Sequence, residues 1–294
     1  MNKFVRQNLS YIATYLGQIP TNFINAISSI LRIIVLSRLN VAFITRNYYK
    51  LRKNDRCILL ANGPSLKQSL NNGIIEADIS DIIGVNSFVQ ADAFWIYKPR
   101  FYYLLDGAFF DPFDERTRVQ VEKIKNSFEK VSWDMYLCIP SSCVKGGVLN
   151  GLNNPNIKVI RWNSTSVDGP FMFRNFIYGA FLGMPKCMNI TNFAIMASVL
   201  IGYKTIHLYG VDHSMFKGIC VDEDNTLCYT DSHVYDVSPV LRKIPGRSIA
   251  DELKGSVECF KSHAQINEYA IKKGVKIINF TKESYIDAYE RFKN

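Results

Sequence analysis

Seven short apolar runs, separated by stretches of helical periodicity, limit what this chain can fold into. They are CILLA (57–61), DIIGVN (81–86), FYYLLD (101–106), MYLCIP (135–140), KVIRW (158–162), TIHLYG (205–210) and KIINF (276–280). Runs that are apolar at consecutive positions suit strands covered on both faces, as in a parallel sheet between two helix layers. Between them, DERTRVQVEKIKNSFEKV (114–131), NFAIMASVLIGY (192–203) and SVECFKSHAQINEYAIKKG (256–274) read as helices. This alternation predicts an α/β fold: a doubly wound, mostly parallel, Rossmann-like sheet forming one nucleotide-binding domain over residues 56–294. Residues 211–255 interrupt the pattern. They are polar, rich in Gly, Asp and Tyr, and longer than an ordinary connection, as a functional lid or a disordered loop would be.

In an open parallel sheet, ligands bind beyond the carboxyl ends of the strands. The first apolar run stops at Asn62-Gly63-Pro64-Ser65. Gly63 lets backbone amides approach a phosphate with no Cβ in the way. Pro64 presets the first helical turn and Ser65 suits its cap. The helix start offers N–H groups to an anion, and Asn62 adds a side-chain amide. The same four residues also suit a plain strand–helix turn. The second run ends at Asn86, the third at Asp106 and the sixth at Gly210 and Asp212. Four polar tips, Asn62, Asn86, Asp106 and Asp212, are expected to meet at one crevice; the plain alternative is solvated loop polars.

ILLANGPSLK, VNSF and IMASVLIGYKTIHLYGVDHS together resemble the bacterial sialyltransferases of glycosyltransferase family 42. The resemblance covers roughly residues 56–280, and its short motifs are shared with Kdo transferases, motility-accessory glycosyltransferases and a group of pterin pyrophosphokinases. It implies a CMP-sugar site. Asn62, Gly63, Pro64 and Ser65 would meet the donor phosphate and ribose, Asn86 would face the nucleotide, and Gly210, Val211 and Asp212 would hold cytosine and ribose. Asn189 begins the stretch that matches a donor-contacting segment of the family, in polar character alone.

The family keeps its general base in the lid, which points to His233 in CYTDSHVYD; Arg247 stands nearer the family's own spacing. An imidazole suits proton removal near neutrality. His263, in the middle of a predicted helix, is the next candidate base or a structural residue. His213 follows Asp212 and is placed to contact the nucleotide, whereas His207 lies inside a strand and reads as core. The family's lid tyrosines hydrogen-bond the departing phosphate, and Tyr229 and Tyr235, flanking His233, are the candidates for that role. Arg242, Lys243 and Arg247 would add positive charge; lid packing is the plain alternative for the tyrosines. The resemblance thus implies an inverting, metal-independent glycosyltransferase with no cofactor beyond its CMP-sugar substrate. A rival signal is Asp222-Glu223-Asp224, a DxD pattern that would hold a divalent ion in a metal-dependent transferase or pyrophosphokinase. A non-catalytic nucleotide- or glycan-binding protein is the third reading.

The formal charge is +9, and much of it lies early in the chain. Residues 1–56 hold Lys3, Arg6, Arg32, Arg38, Arg46, Lys50, Arg52, Lys53 and Arg56 against Asp55. No nucleic-acid motif accompanies them, which favours an anionic inner-leaflet surface. Residues 21–44 are apolar but broken by Asn22, Asn25, Arg32, Arg38 and Asn40. An arginine at mid-membrane costs at least about 2.5 kcal/mol, so residues 1–55 predict a basic amphipathic helix lying on the membrane rather than a span. A helix packed on the protein itself is the alternative. Seven cysteines without a CxxC pair, and no clean signal-peptide pattern, predict a reduced cytoplasmic protein at the inner membrane. Expected partners are the CMP-sugar, a glycan or glycolipid acceptor and the membrane surface; nucleic acid is not expected, and a homo-oligomer is open.

Overall fold

The computed structural model describes residues 3–143, 146–231 and 240–293, with residues 3–19, Asp231 and Val240 described as backbone only. Strands β1 (Arg56–Leu60), β2 (Asp81–Val85), β3 (Phe101–Tyr103), β4 (Met135–Pro140), β5 (Ile157–Trp162) and β6 (Thr205–Tyr209) belong to the main sheet. A separate antiparallel sheet follows, built from β7 (Ile219–Val221), β8 (Leu227–Asp231) and β9 (Val240–Ile244). Then β10 (Lys276–Asn279) and β11 (Glu290–Arg291) rejoin the main sheet. Its order is β11-β10-β6-β1-β2-β3-β4-β5, with every neighbouring pair parallel. This is the doubly wound, Rossmann-like arrangement expected from the apolar runs.

The order fixes where a ligand crevice can open. From β1 the chain winds one way through β2 to β5, then crosses back to lay β6 against the other side of β1. Connections on opposite faces diverge between β1 and β6, leaving a gap beyond their carboxyl ends.

The helices are α1 (Lys3–Leu36), α2 (Leu39–Thr45), α3 (Leu66–Asn71), α4 (Asp92–Tyr97), α5 (Glu115–Phe128), α6 (Phe171–Gly179), α7 (Ile190–Ile201) and α8 (Ile249–Lys272). Successive strand side chains point to opposite faces. Cys57, Leu59, Ile83, Val85 and Tyr103 therefore pack with α7 and with Ile266 and Tyr269 of α8. Ile58, Leu60, Ile82, Tyr102 and Leu104 pack with Phe94 of α4 and with Ile124 and Phe128 of α5. At the opposite edge from the crevice, buried Asp81 accepts from the Lys53 N–H (2.8 Å), the Asn54 amide (3.1 Å) and the Tyr203 hydroxyl (2.7 Å). It ties the N-terminal segment to the start of β2.

Three local expectations are corrected. Ser65 makes no side-chain cap on α3, and its hydroxyl donates instead to Asp212. Strand β3 stops at Tyr103, so Asp106 lies in the following loop, where it accepts from the Ala108 N–H at 3.0 Å. Residues 211–255 hold β7–β9 and the first turns of α8 rather than irregular chain alone.

Helix α1 presents its polar side to the protein. Ser29 is fully buried, its hydroxyl 2.9 Å from the Asp168 carbonyl, and the Asn25 amide donates to the Asp168 carboxylate at 3.2 Å. Phe23, Ile24, Ile27, Leu31, Ile34 and Val35 of the same helix are exposed. The chain bends by 93° between α1 and α2. Asn163 holds that bend, accepting from the Arg38 N–H at 2.9 Å and donating to the Arg38 carbonyl at 3.0 Å. Among the described residues no single helix is long and apolar enough to cross a membrane, though the bent pair passes that test together.

Candidate active site

Three adjoining clefts open at the carboxyl edge of the sheet. One of about 640 Å³ is walled by Asn62, Asn86 and Asp106, by the start of α5, and by Tyr229, Arg242 and Arg247. A second, of about 280 Å³, is lined by Asn62, Gly63, Pro64, Asn86, Asn189, Gly210, Val211, Asp212 and His213. A third, of about 390 Å³, shares Asp106 and Arg247 with the first and Asn189 and His213 with the second. The four polar tips named from the sequence thus border one connected crevice at the β1–β6 gap.

The first turn is arranged around Asp212 rather than around a free helix end. The Asp212 carboxylate accepts from the Ser65 hydroxyl at 2.7 Å and from the Ser65 N–H at 3.2 Å. A Cβ on Gly63 would lie 1.9 Å from Asp212 Oδ2 and 2.5 Å from the Gly210 carbonyl. Glycine is therefore required for the close packing of the two loops, with the Gly63 N–H donating to the Gly210 carbonyl at 2.9 Å. Burial pushes the Asp212 carboxyl above its usual range, and the Ser65 hydrogen bonds oppose that shift only in part. With Asp212 seated there, the turn presents a carboxylate where the sequence suggested an anion site.

The asparagines offer acceptors. Asn62 Nδ2 donates to the Val85 carbonyl at 3.2 Å, which fixes the amide's orientation. Among the described residues its buried Oδ1 has no donor, and neither has Asn86 Oδ1. Asn86 adopts a left-handed backbone, φ 45°, a conformation asparagine tolerates. Buried acceptors left unmatched cost free energy until a donor arrives. Asn62 was expected as a donor to phosphate; the geometry leaves it an acceptor for hydroxyl or amino hydrogens.

A hydrogen-bond chain sits behind the second cleft. Asn189 caps α7, its Oδ1 accepting from the Asn192 N–H (3.0 Å) and the Thr191 hydroxyl (2.7 Å). That orients Nδ2 as the donor to His213 Nε2 at 2.7 Å. The His213 proton then lies on Nδ1, so His263 Nε2, 2.9 Å from His213 Nε2, carries the hydrogen between them. His263 Nδ1 is left to accept from the Tyr289 hydroxyl at 2.8 Å. Burial lowers both imidazoles, His213 to about 4, and His213 itself further lowers His263. Both rings are neutral at physiological pH. His263 is fully buried with both nitrogens engaged, so it cannot act as the general base. His213 lines the second and third clefts, with its Nε2 taken up by Asn189 and His263.

Cys259, His213 and His263 bring their donor atoms within 4.8 Å of one another, a possible metal set. The Asn189 amide nitrogen, however, stands 2.7 Å from His213 Nε2 and 3.1 Å from Cys259 Sγ, directing N–H groups at the lone pairs a metal would need. Asp222 and Asp224 are elsewhere. Asp222 Oδ1 accepts from the Asp224 and Thr226 N–H groups in the β7–β8 turn, and Lys243 pairs with both carboxylates. Neither borders the three clefts.

His207, read as core, is buried in β6 against Phe280, and burial with the nearby Arg56 charge lowers it to about 4. His233 and Tyr235 lie outside the described residues. Tyr229 on β8 and the cations Arg242 and Arg247 border the largest cleft. The sequence reading missed its outer wall, Ser87, Phe113, Arg116, Thr117 and Gln120. The available signal was the Asp114-x-x-Thr117 capping box, which sets where α5 begins.

No protein-family model matches the chain, and no curated protein matches it. Among solved structures it is similar to a MAf glycosyltransferase from Magnetospirillum magneticum AMB-1, at 12% identity and a TM-score of 0.49. That likeness covers 87% of this chain and 38% of the other, so the chain spans under two fifths of that protein's length.

Proposed function

We propose that this chain is a glycosyltransferase that moves an acidic sugar, of sialic acid or Kdo type, from a CMP-sugar to a hydroxyl of a glycan or glycolipid acceptor. One observation carries the reading: Asn62 Oδ1 and Asn86 Oδ1, buried and without donors among the described residues, border the switch-point crevice. Ribose hydroxyls and the cytosine amino group are donors of the required kind. Arg247 and Arg242, beside Tyr229 on the opposite wall, suit the phosphate.

In the reaction the acceptor oxygen attacks the anomeric carbon from the face opposite CMP. The bond to the phosphate oxygen breaks, and CMP leaves with the electron pair. Arg247, Arg242 and Tyr229 offset the charge that grows on that phosphate. The acceptor proton goes to His233, the base implied by the family resemblance, or to Asp106, the carboxylate bordering two of the clefts. Metal independence is part of the proposal, supported by the engagement of Asp222 and Asp224 in their own turn and with Lys243. Bacterial surface-glycan assembly at the inner leaflet is the proposed setting, supported by the exposed apolar side of α1 and the exposed cations Arg38, Arg46 and Lys50.

The test is turnover of CMP-sialic acid and CMP-Kdo by His233→Ala and Asp106→Ala, each with and without EDTA. One of the two replacements is expected to abolish transfer, with chelation harmless. Activity lost to EDTA but kept in both variants would overturn the mechanism.

A further inference from the structure

A fourth cavity, of about 470 Å³, lies between α1, the 166–168 segment and α8. Its walls carry the cations Arg32, Lys186 and Lys261 and the carboxylates Asp168 and Glu258. Lys261 pairs with Asp168 at 2.8 Å and Lys186 with Glu258 at 3.7 Å. Arg32 is left over: among the described residues its guanidinium has the Ser29 hydroxyl at 3.0 Å and no carboxylate, and its Nε is buried without an acceptor. Ser262, also in the lining, is 1% exposed, and its hydroxyl has no partner among the described residues. A surplus positive charge, an unpaired guanidinium N–H and an orphaned buried hydroxyl together ask for an oxyanion.

We propose that this cavity binds a phosphate ester, and that the ester belongs to the headgroup of an anionic membrane lipid. The lipid source rests on the membrane reading of α1 given above. Arg32 projects inward from the same helix whose outer side exposes Ile27, Leu31 and Ile34, so a headgroup held at Arg32 would have its acyl chains beside apolar surface.

The experiment is co-sedimentation of the full chain with vesicles of phosphatidylcholine alone, and of phosphatidylcholine mixed with phosphatidylglycerol. A parallel arm measures thermal stabilisation by soluble glycerol phosphate. The wild type is expected to prefer the anionic vesicles. Arg32→Gln should lower that preference about fivefold, the effect of one basic residue at an anionic surface. Ser262→Ala should lower it without lowering the melting temperature, Arg32→Lys should retain part of it, and Lys123→Gln, on α5 across the sheet, should leave it unchanged. Binding to both vesicles alike, with no response to glycerol phosphate, overturns the pocket while sparing the membrane reading. Stabilisation by glycerol phosphate that Arg32→Gln removes, without vesicle binding, keeps the phosphate site and overturns the lipid source. Equal losses in Arg32→Gln and Lys123→Gln reduce the effect to diffuse charge and overturn the proposal.

Discussion

The Asp212 carboxylate takes both the hydroxyl and the backbone N–H of Ser65, at 2.7 and 3.2 Å, and so joins the loop after β6 to the loop after β1. Because burial raises the Asp212 carboxyl, the folded state holds its proton more tightly than the unfolded chain does. Its contribution to stability is therefore full below the ordinary carboxyl value, falls as pH rises through the raised value, and is gone above it. Asp212→Asn keeps an oxygen for Ser65 and removes the buried charge. The variant is expected to melt at the same temperature or higher at pH 7.5 while binding nucleotide at least tenfold more weakly, as at functional sites that trade stability for activity. Parallel melting and titration of the two proteins checks this.

Gly63→Ala should do the reverse to stability. Its Cβ would fall 1.9 Å from Asp212 Oδ2, and Asp212 cannot retreat without losing Ser65. We expect a loss of about 1–3 kcal/mol, in the range of overpacking, together with loss of nucleotide binding. Urea denaturation of the variant measures the first and calorimetry the second.

Two buried histidines and the half-buried His213 predict acid lability. His207 and His213 are lowered to about 4 and His263 well below its ordinary value. Between pH 6.5 and about 4 the unfolded chain binds protons that the native state refuses, so stability falls as pH drops through that window. Each group contributes up to about 1.4 kcal/mol per pH unit. Denaturation midpoints should be flat above pH 7 and fall steeply from 6.5 to 5. His263→Gln should reduce the slope.

On α1, the triple change Ile27→Ser, Leu31→Ser, Ile34→Ser is expected to release the protein from vesicles while leaving its melting temperature within about 2 °C. The side chains are 61%, 59% and 71% exposed, and surface changes away from packing rarely exceed about 0.5 kcal/mol. Co-sedimentation beside a melting curve decides whether that face meets a bilayer or supports the fold.

The sheet was legible because strands buried on both faces leave long apolar runs; MYLCIP is β4 residue for residue. The β7–β9 sheet was not, since its strands are short and half-exposed and carry no such run. Helix α8 begins at Ile249, seven residues before the apolar pattern starts at Ser256, because its first turns face solvent. At the site, polar residues after apolar runs placed the crevice. The orientation of the Asn62 amide was invisible, being set by the Val85 carbonyl on another strand. So was the His213–His263 contact, which joins residues fifty positions apart. Amphipathy in α1 was readable too, but only the fold shows that its polar side faces inward.

The most direct measurement is calorimetric titration of the wild type with CMP, UMP and GMP, repeated on Asn86→Ala. CMP is expected to bind preferentially, with about tenfold loss in the variant, a buried hydrogen bond's worth of discrimination. Equal, weak binding of all three nucleotides, or CMP binding untouched by the loss of Asn86, would contradict a cytidine site at the β1–β6 edge.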